Sequence, residues 1–291
     1  MGKLLLTAVL ILTVCSMASA ESLFIMGWDG AGMNNIVPML EQGRLPNLKS
    51  IIDAGGCLTH LENISRTVTV PNWTEAWTGL TVDQTGVRNN YIWKRVLYGN
   101  TIVKAIQDRG HNVGWFTSKT FLSSDTACTP LSSIALNANS YFMISPDTAD
   151  TYIQALSEKA IEFIGSNIDY LMFLHVTPDY YGHEHGENSE RYLQEFERAD
   201  YYLGQILPHI DRLTTKVSVL SDHGFDEGKT THNDAHDNFL VTDLPLKEFY
   251  CTQSTSGTMR DVANTVLEYF GVDWQGRKPT MRGKSLLNAG P

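Results

Sequence analysis

At 291 residues, with 42% hydrophobic and 19% charged residues, the chain is long enough to bury one substantial core. Its formal net charge of −10 argues against the basic face that nucleic-acid binders need, so no nucleic-acid partner is expected. An acidic surface still admits an anionic substrate, because bound divalent cations reverse the sign of a site locally.

Met1-Gly-Lys3, the apolar run Leu4 to Val14 and the small residues Cys15-Ser-Met-Ala-Ser-Ala20 read as a secretory signal over residues 1–20, cut after Ala20. The apolar run is too short to span a membrane, and no second one follows. A secreted or periplasmic chain without a stable membrane span is expected, as one catalytic domain over 21–291. Cys15 as a lipid-attachment site is the competing reading. Cys57, Cys128 and Cys251 remain, which permits at most one intramolecular disulfide and leaves its pairing open. Asn63-Ile-Ser and Asn72-Trp-Thr are formal glycosylation sequons, the second inside the candidate site.

Ser22 to Trp28 is an apolar run stopped by Asp29-Gly30, which reads as a buried strand with a carboxylate at its tip. Helical patterns follow at Asn34 to Leu40 and Pro46 to Gly55, then a strand at Gly56 to Leu61. In Arg66-Thr-Val-Thr-Val-Pro-Asn-Trp-Thr-Glu-Ala-Trp-Thr-Gly79, Pro71 suits a first helical position, which puts Thr69 just ahead of a helix start. An anion there meets unpaired amides and partial positive charge, although Thr69 taken alone reads as a helix cap. Asn90 lies in the turn that follows, placed to carry an amide back to that helix start.

A helix at Thr101 to Arg109 and a strand at Asn112 to Thr117 continue an alternating α/β pattern. Residues 118–147 lose periodicity and read as a small cap. A helix from Ala149 to Asn167 leads to the apolar strand Asp169 to Val176, beyond which Asp179 and His183 stand four residues apart, the spacing of one helical turn. His175 and His185 flank this pair and are expected to support it rather than to bind. A helix from Ser189 to Ile210 precedes the strand Lys216 to Leu220, which ends in Asp222 and His223. His232 follows, then an expected edge strand at Asn238 to Val241 and a closing helix at Met259 to Phe270.

Apolar strands that end in Asp29, Asp179 and Asp222, with His183, His223 and His232 close behind, offer about the oxygen and nitrogen donors that two divalent ions require. Asp29, Thr-Val-Pro-Asn72 with Thr-Gly-Leu80, Asn90, Pro-Asp-Tyr-Tyr-Gly-His183, Ser-Asp-His-Gly224 and His232 together resemble the alkaline phosphatase superfamily, in particular its type I phosphodiesterase/nucleotide pyrophosphatase branch. The resemblance runs from about Ser22 to Leu287. It implies a three-layer α/β/α sandwich with a mostly parallel central sheet. It also implies two divalent metal ions of zinc type, one held by Asp179, His183 and His232, the other by Asp29, Asp222 and His223 with the Thr69 oxygen beside it. Thr69 would be the nucleophile on a small phosphoric ester, giving a phosphothreonine, while Asn90 and the Val70 amide steady the non-bridging oxygens. His232 is preferred to His236 as the last ligand.

Two departures qualify the substrate. The sulfatase pattern of Cys or Ser followed by x-Pro-x-Arg is absent, since the frame reads Thr69-Val-Pro-Asn-Trp73. The long insertion that nucleotide pyrophosphatases carry before their last ligand is missing too, which removes a substrate-side wall. Phosphodiesters are the expected substrates; a phosphomonoester or phosphonate hydrolase and a phosphotransferase are the enzymatic alternatives. A secreted binding protein stabilised by its metals is the non-enzymatic one. Arg88 or Arg66 as a contact for extra phosphate charge, and Trp73 and Trp77 as a stacking platform, complete the expectations.

Overall fold

The computed structural model describes residues 22–90, 101–117, 139–142 and 149–288. The signal at 1–20, Cys128 and all of the expected cap except 139–142 lie outside these residues. Strand β1, Ser22–Trp28, is buried at every position. That uninterrupted apolar run is what a parallel strand covered on both faces requires. Leu23 and Ile25 pack on one side with Val70, Trp73 and Trp77, while Phe24, Met26 and Trp28 pack on the other with Ile36, Leu48 and Phe196.

The remaining strands are Cys57–Glu62 (β2), Asn112–Thr117 (β3), Asn139–Phe142 (β4), Tyr170–Val176 (β5), Thr215–Leu220 (β6), Asp237–Thr242 (β7) and Gly257–Thr258 (β8). They form one eight-stranded sheet in the order β4-β3-β5-β1-β6-β7-β2-β8. Among the described residues only β7 runs against its neighbours β6 and β2; the other strand pairings are parallel.

One face is covered by helices Thr69–Thr78 (α3), Ile102–Gln107 (α5) and Met259–Tyr269 (α10). The other carries Met33–Glu41 (α1), Pro46–Asp53 (α2), Ala149–Ser166 (α6) and Glu190–Ile206 (α8). Short helices at Val82–Thr85 (α4), Asp179–His185 (α7) and Glu248–Cys251 (α9) complete the expected α/β/α sandwich. A disulfide joins Cys57 at the start of β2 to Cys251 in α9, across a sequence separation of 194.

Three expectations are corrected. The strand around Asn238 to Val241 is not an edge: β7 lies between β6 and β2, with Asn238 and Phe239 fully buried. A short run carries the same apolar pattern in either place. Thr69 is the first residue of α3, not the one before it, and Pro71 sits at the third position. A proline is tolerated there because the first-turn amides lack intrahelical partners in any case. The helix expected through Ile210 ends at Ile206 and passes into a 3-10 turn, Leu207–His209, where Pro208 brings no N–H.

One capping arrangement crosses the fold. The first turn of α2 lacks a side-chain cap of its own, and Asp200 of α8 supplies it by accepting from the Asn47 N–H at 3.1 Å and the Leu48 N–H at 2.7 Å. Burial of Asp200 pushes its carboxyl up from the ordinary range, and these bonds pull the other way.

Candidate active site

The three aspartates expected at strand ends come from neighbouring parallel strands, β5, β1 and β6, so they emerge at one rim of the sheet. The Asp29 N–H donates to the Val176 carbonyl at 3.0 Å, and the Asp179 N–H donates to the Asp29 carbonyl at 2.9 Å. Gly30 then turns with φ +75, and a Cβ there would lie 2.8 Å from the Asp179 Cβ, so only glycine allows this approach. Its N–H donates to Asp222 Oδ1 at 3.1 Å. Gly224 permits a second close approach, since a Cβ would stand 2.7 Å from the Gly32 Cα at the start of α1.

His223 Nε2 is the centre of the group. It lies 3.5 Å from Asp29 Oδ1, 3.6 Å from Asp222 Oδ2, 3.9 Å from Asp179 Oδ1 and 3.3 Å from Thr69 Oγ1. On its far side, His183 Nε2 is 3.4 Å from Asp179 Oδ1 and 3.1 Å from His232 Nε2, which is itself 3.8 Å from Asp179 Oδ1. Two overlapping groups, Asp29, Asp222 and His223, and Asp179, His223 and His232, each hold their donor atoms within 4.8 Å of one another.

The ring nitrogens report what such a cluster can bind. His183 Nδ1 lies 2.9 Å from the Thr230 carbonyl, His223 Nδ1 3.0 Å from that of Gly224, and His232 Nδ1 2.5 Å from that of Thr67. A carbonyl only accepts, so each of these Nδ1 atoms carries a proton and each ring turns its Nε2 towards the shared carboxylates. His232 is held down to about 4, first by burial and then by the neighbouring His223, and is therefore neutral near pH 7. Imidazole nitrogens 3.1 Å apart, beside carboxylates that are 0 to 6% exposed, suit a divalent cation of zinc type. Tyr192 responds to the same negative charge. Its buried hydroxyl donates to the Gly30 carbonyl, and burial followed by Asp179, Glu187, Asp29 and Asp222 pushes it well up.

Thr69 is 1% exposed at the start of α3, a helix in which every residue is buried. Asn90 does reach back to this point, but with its oxygen: Asn90 Oδ1 accepts from the Val70 N–H at 2.9 Å. The Val70 amide expected to face a substrate is thus engaged by Asn90.

Several residues that matter to the site were not legible in the sequence. Asn63, Asn72 and Asn238 each donate from Nδ2 to the Asp222 carbonyl, at 2.7, 2.9 and 3.1 Å. They come from the end of β2, from α3 and from β7, so one carbonyl oxygen ties three elements to the tip of β6. An asparagine within the apolar run of β7 is the one sequence signal that could have found them. Asn63 and Asn72 are 2% and 0% exposed, so neither sequon presents its amide to solvent. Thr67 fixes His232 from both sides, since its hydroxyl also donates to the His232 carbonyl.

The other candidates have different surroundings. Trp73 and Trp77 are fully buried and pack on each other, on Phe173 and, for Trp77, on Trp115; they are core. Arg88 is exposed and pairs with Asp83 at 2.7 Å, and Arg66 is exposed. His175 is buried behind the rim, its Nε2 3.3 Å from Asp29 Oδ2. His185 stacks on Tyr181, and His236 Nδ1 faces the Asn63 carbonyl at 2.7 Å.

Solved structures share this architecture across most of the chain. An inactive variant of murine ectonucleotide pyrophosphatase/phosphodiesterase 5, in complex with AMP, superposes with TM-score 0.62 at 13% identity, over 87% of this chain and 96% of that one. The C-terminal periplasmic domain of EptC from Escherichia coli, in complex with Zn, gives 0.62 at 13% identity over 93% and 87%. A 2-O GAG sulfatase gives 0.69 at 11% identity over 94% and 76%. These likenesses show the fold alone. No curated protein sequence matches the chain. The family model for type I phosphodiesterase / nucleotide pyrophosphatase matches residues 23–263, a span that takes in Asp29, Thr69 and all the clustered donors, and the chain belongs to that family.

Proposed function

We propose that the protein is an exported hydrolase of phosphoric diesters that works with two zinc-type ions and a phosphothreonine on Thr69. Family membership supports the coarser statement, a phosphoester hydrolase. The observation that carries the finer one is the position of Thr69 Oγ1, 3.3 Å from the imidazole nitrogen on which the three buried carboxylates converge.

Asp179, His183 and His232 would hold one ion, and Asp29, Asp222 and His223 the other. When bound, such ions supply Lewis acidity, which lowers the pKa of a neighbouring hydroxyl or water and offsets phosphate charge. Thr69 Oγ1 bonds to phosphorus as the bond to the leaving oxygen breaks, and the Thr69 proton ends on the departing alcohol. Water then cleaves the phosphothreonine, which returns the hydroxyl to Thr69 and releases a phosphomonoester. With Oδ1 anchored on the Val70 N–H, Asn90 retains its NH2 group to donate to a non-bridging oxygen, a contribution of about 3 kcal/mol for a preorganised donor. The start of α3 adds partial positive charge at the same point.

Export is supported by the signal pattern at 1–20 and by the Cys57–Cys251 disulfide, which oxidising compartments favour. Among the described residues, no helix is long and apolar enough to cross a membrane.

The test is turnover of a chromogenic diester and monoester, with and without chelator. Diester cleavage that chelator abolishes and zinc restores is expected, and Thr69→Ala is expected to remove it. Full turnover by Thr69→Ala would rule out the covalent route, and monoester preference would favour the alternative hydrolase. Cleavage of neither, with a chelator-sensitive melting temperature, would return the chain to a metal-stabilised binding protein.

A further inference from the structure

Glu187 lies in the short loop between α7 and α8 and is 2% exposed. Its Oε1 accepts from Asn34 Nδ2 at 2.8 Å and Asn35 Nδ2 at 2.6 Å, while Oε2 accepts from the Gly228 N–H at 3.1 Å. Its own N–H donates to the Lys229 carbonyl at 2.9 Å. One buried carboxylate thus ties the first turn of α1 to the 226–229 turn, inside the loop that separates His223 from His232. A carboxylate is kept in the interior only when such donors surround it.

The residue after this clamp bears on the site. The Thr230 carbonyl accepts from His183 Nδ1 at 2.9 Å and so aims His183 Nε2 at His232. The same turn begins at Asp226, which accepts from Thr231 Oγ1 at 2.7 Å and from the Asn233 and Asp234 amides at 3.1 and 2.8 Å, enclosing His232. Asp29, Asp222 and His223 are held by other means: strand ends, the Gly30 N–H and the three asparagine amides on the Asp222 carbonyl.

We infer that Glu187 is a positioning residue for the His183 and His232 side of the site, acting through the turn whose Thr230 carbonyl orients the His183 ring. The assignment rests on the metal-site reading above. It predicts that the two sides respond unequally when Glu187 changes.

Glu187→Gln keeps the size but turns one acceptor oxygen into a donor, which cannot serve both the asparagine pair and the Gly228 N–H. Zinc titration of the full chain should find two ions in the wild type. In the variant, one should bind with wild-type affinity and the other 10–100-fold more weakly, about the effect of losing a group that orients a ligand. In parallel, histidine side-chain 15N spectra of the metal-free chains should show His183 fixed in its Nδ1-protonated form in the wild type only, with His223 alike in both. Two ions at unchanged affinity in the variant, or both weakened together with a matching loss of melting temperature, would reduce Glu187 to a structural staple. A wild type that binds no zinc would sink the metal reading of the site. The spectra would then decide, and an unchanged His183 form would overturn the inference. Should Glu187→Gln not fold, Asn34→Ala at an exposed position should weaken the same ion to a smaller extent, and no change in either readout would overturn it.

Discussion

Asp222→Asn separates the cost of gathering carboxylates from the benefit of binding a cation between them. Asp29 and Asp222 are both fully buried and belong to a group whose donor atoms lie within 4.8 Å of one another. At that separation and an effective dielectric of about 20, two like charges repel by about 3 kcal/mol. Asparagine keeps Oδ1 for the Gly30 N–H, and its NH2 takes the place of an oxygen 3.6 Å from His223 Nε2. In chelator the variant should therefore melt above the wild type, by as much as about 6–12 °C at roughly 2–4 °C per kcal/mol. In zinc the order should reverse. A cation at a thousandfold over its dissociation constant stabilises the wild type by about 4 kcal/mol, and the variant, with a ligand lost, gains less. Calorimetric melting in chelator and in excess zinc reads both halves. A variant that melts below the wild type in chelator would refute the reasoning that gathering these carboxylates costs stability.

Two further predictions concern the scaffold. Glu75, 1% exposed in α3, meets Arg260 Nε at 3.2 Å, with the arginine side chain 13% exposed; Glu75→Ala leaves a half-buried cation unmatched, and thermal unfolding should show a loss of about 3 kcal/mol. A loss below about 1 kcal/mol would mean that solvent reaches Arg260 and screens it. Asp200, raised by burial, contributes stability that is complete below the ordinary value of 3.8 and is lost as pH rises through its higher native value. Asp200→Asn cannot titrate, so the variant should gain on the wild type between pH 4 and pH 7 in urea unfolding; a constant difference across that range would count against the raised carboxyl.

What the sequence disclosed and what it hid follow from the range of the interactions involved. Asp29, Asp222 and His223 were legible because each ends an apolar run, and polarity beginning abruptly after a buried strand is a local signal. Asp179 and His183 were legible from the period of a single helical turn. The place of β7 was not, because an apolar run of that length is the same at an edge or inside a sheet, and its partner β2 lies far back in the chain. Nor was the convergence of Asn63, Asn72 and Asn238, which depends on three unrelated elements meeting and follows no period. Glu187, in Gly-Glu-Asn-Ser189, reads as a solvated turn, and only the fold shows it enclosed. The disulfide pairing was undetermined for a related reason: cysteines 194 residues apart carry no local sign of proximity.

The reversed direction of β7 also bears on how this scaffold diversifies. A connection between parallel strands must cross to the opposite end of the sheet, whereas residues 221–236 depart and return at the same rim. Extra chain inserted past His232 would project over the mouth without rerouting the core, and each doubling of loop length costs only about 0.6 kcal/mol in closure entropy. Grafted segments at this point are accordingly the economical route to new substrate selectivity, with the donors beneath left in place.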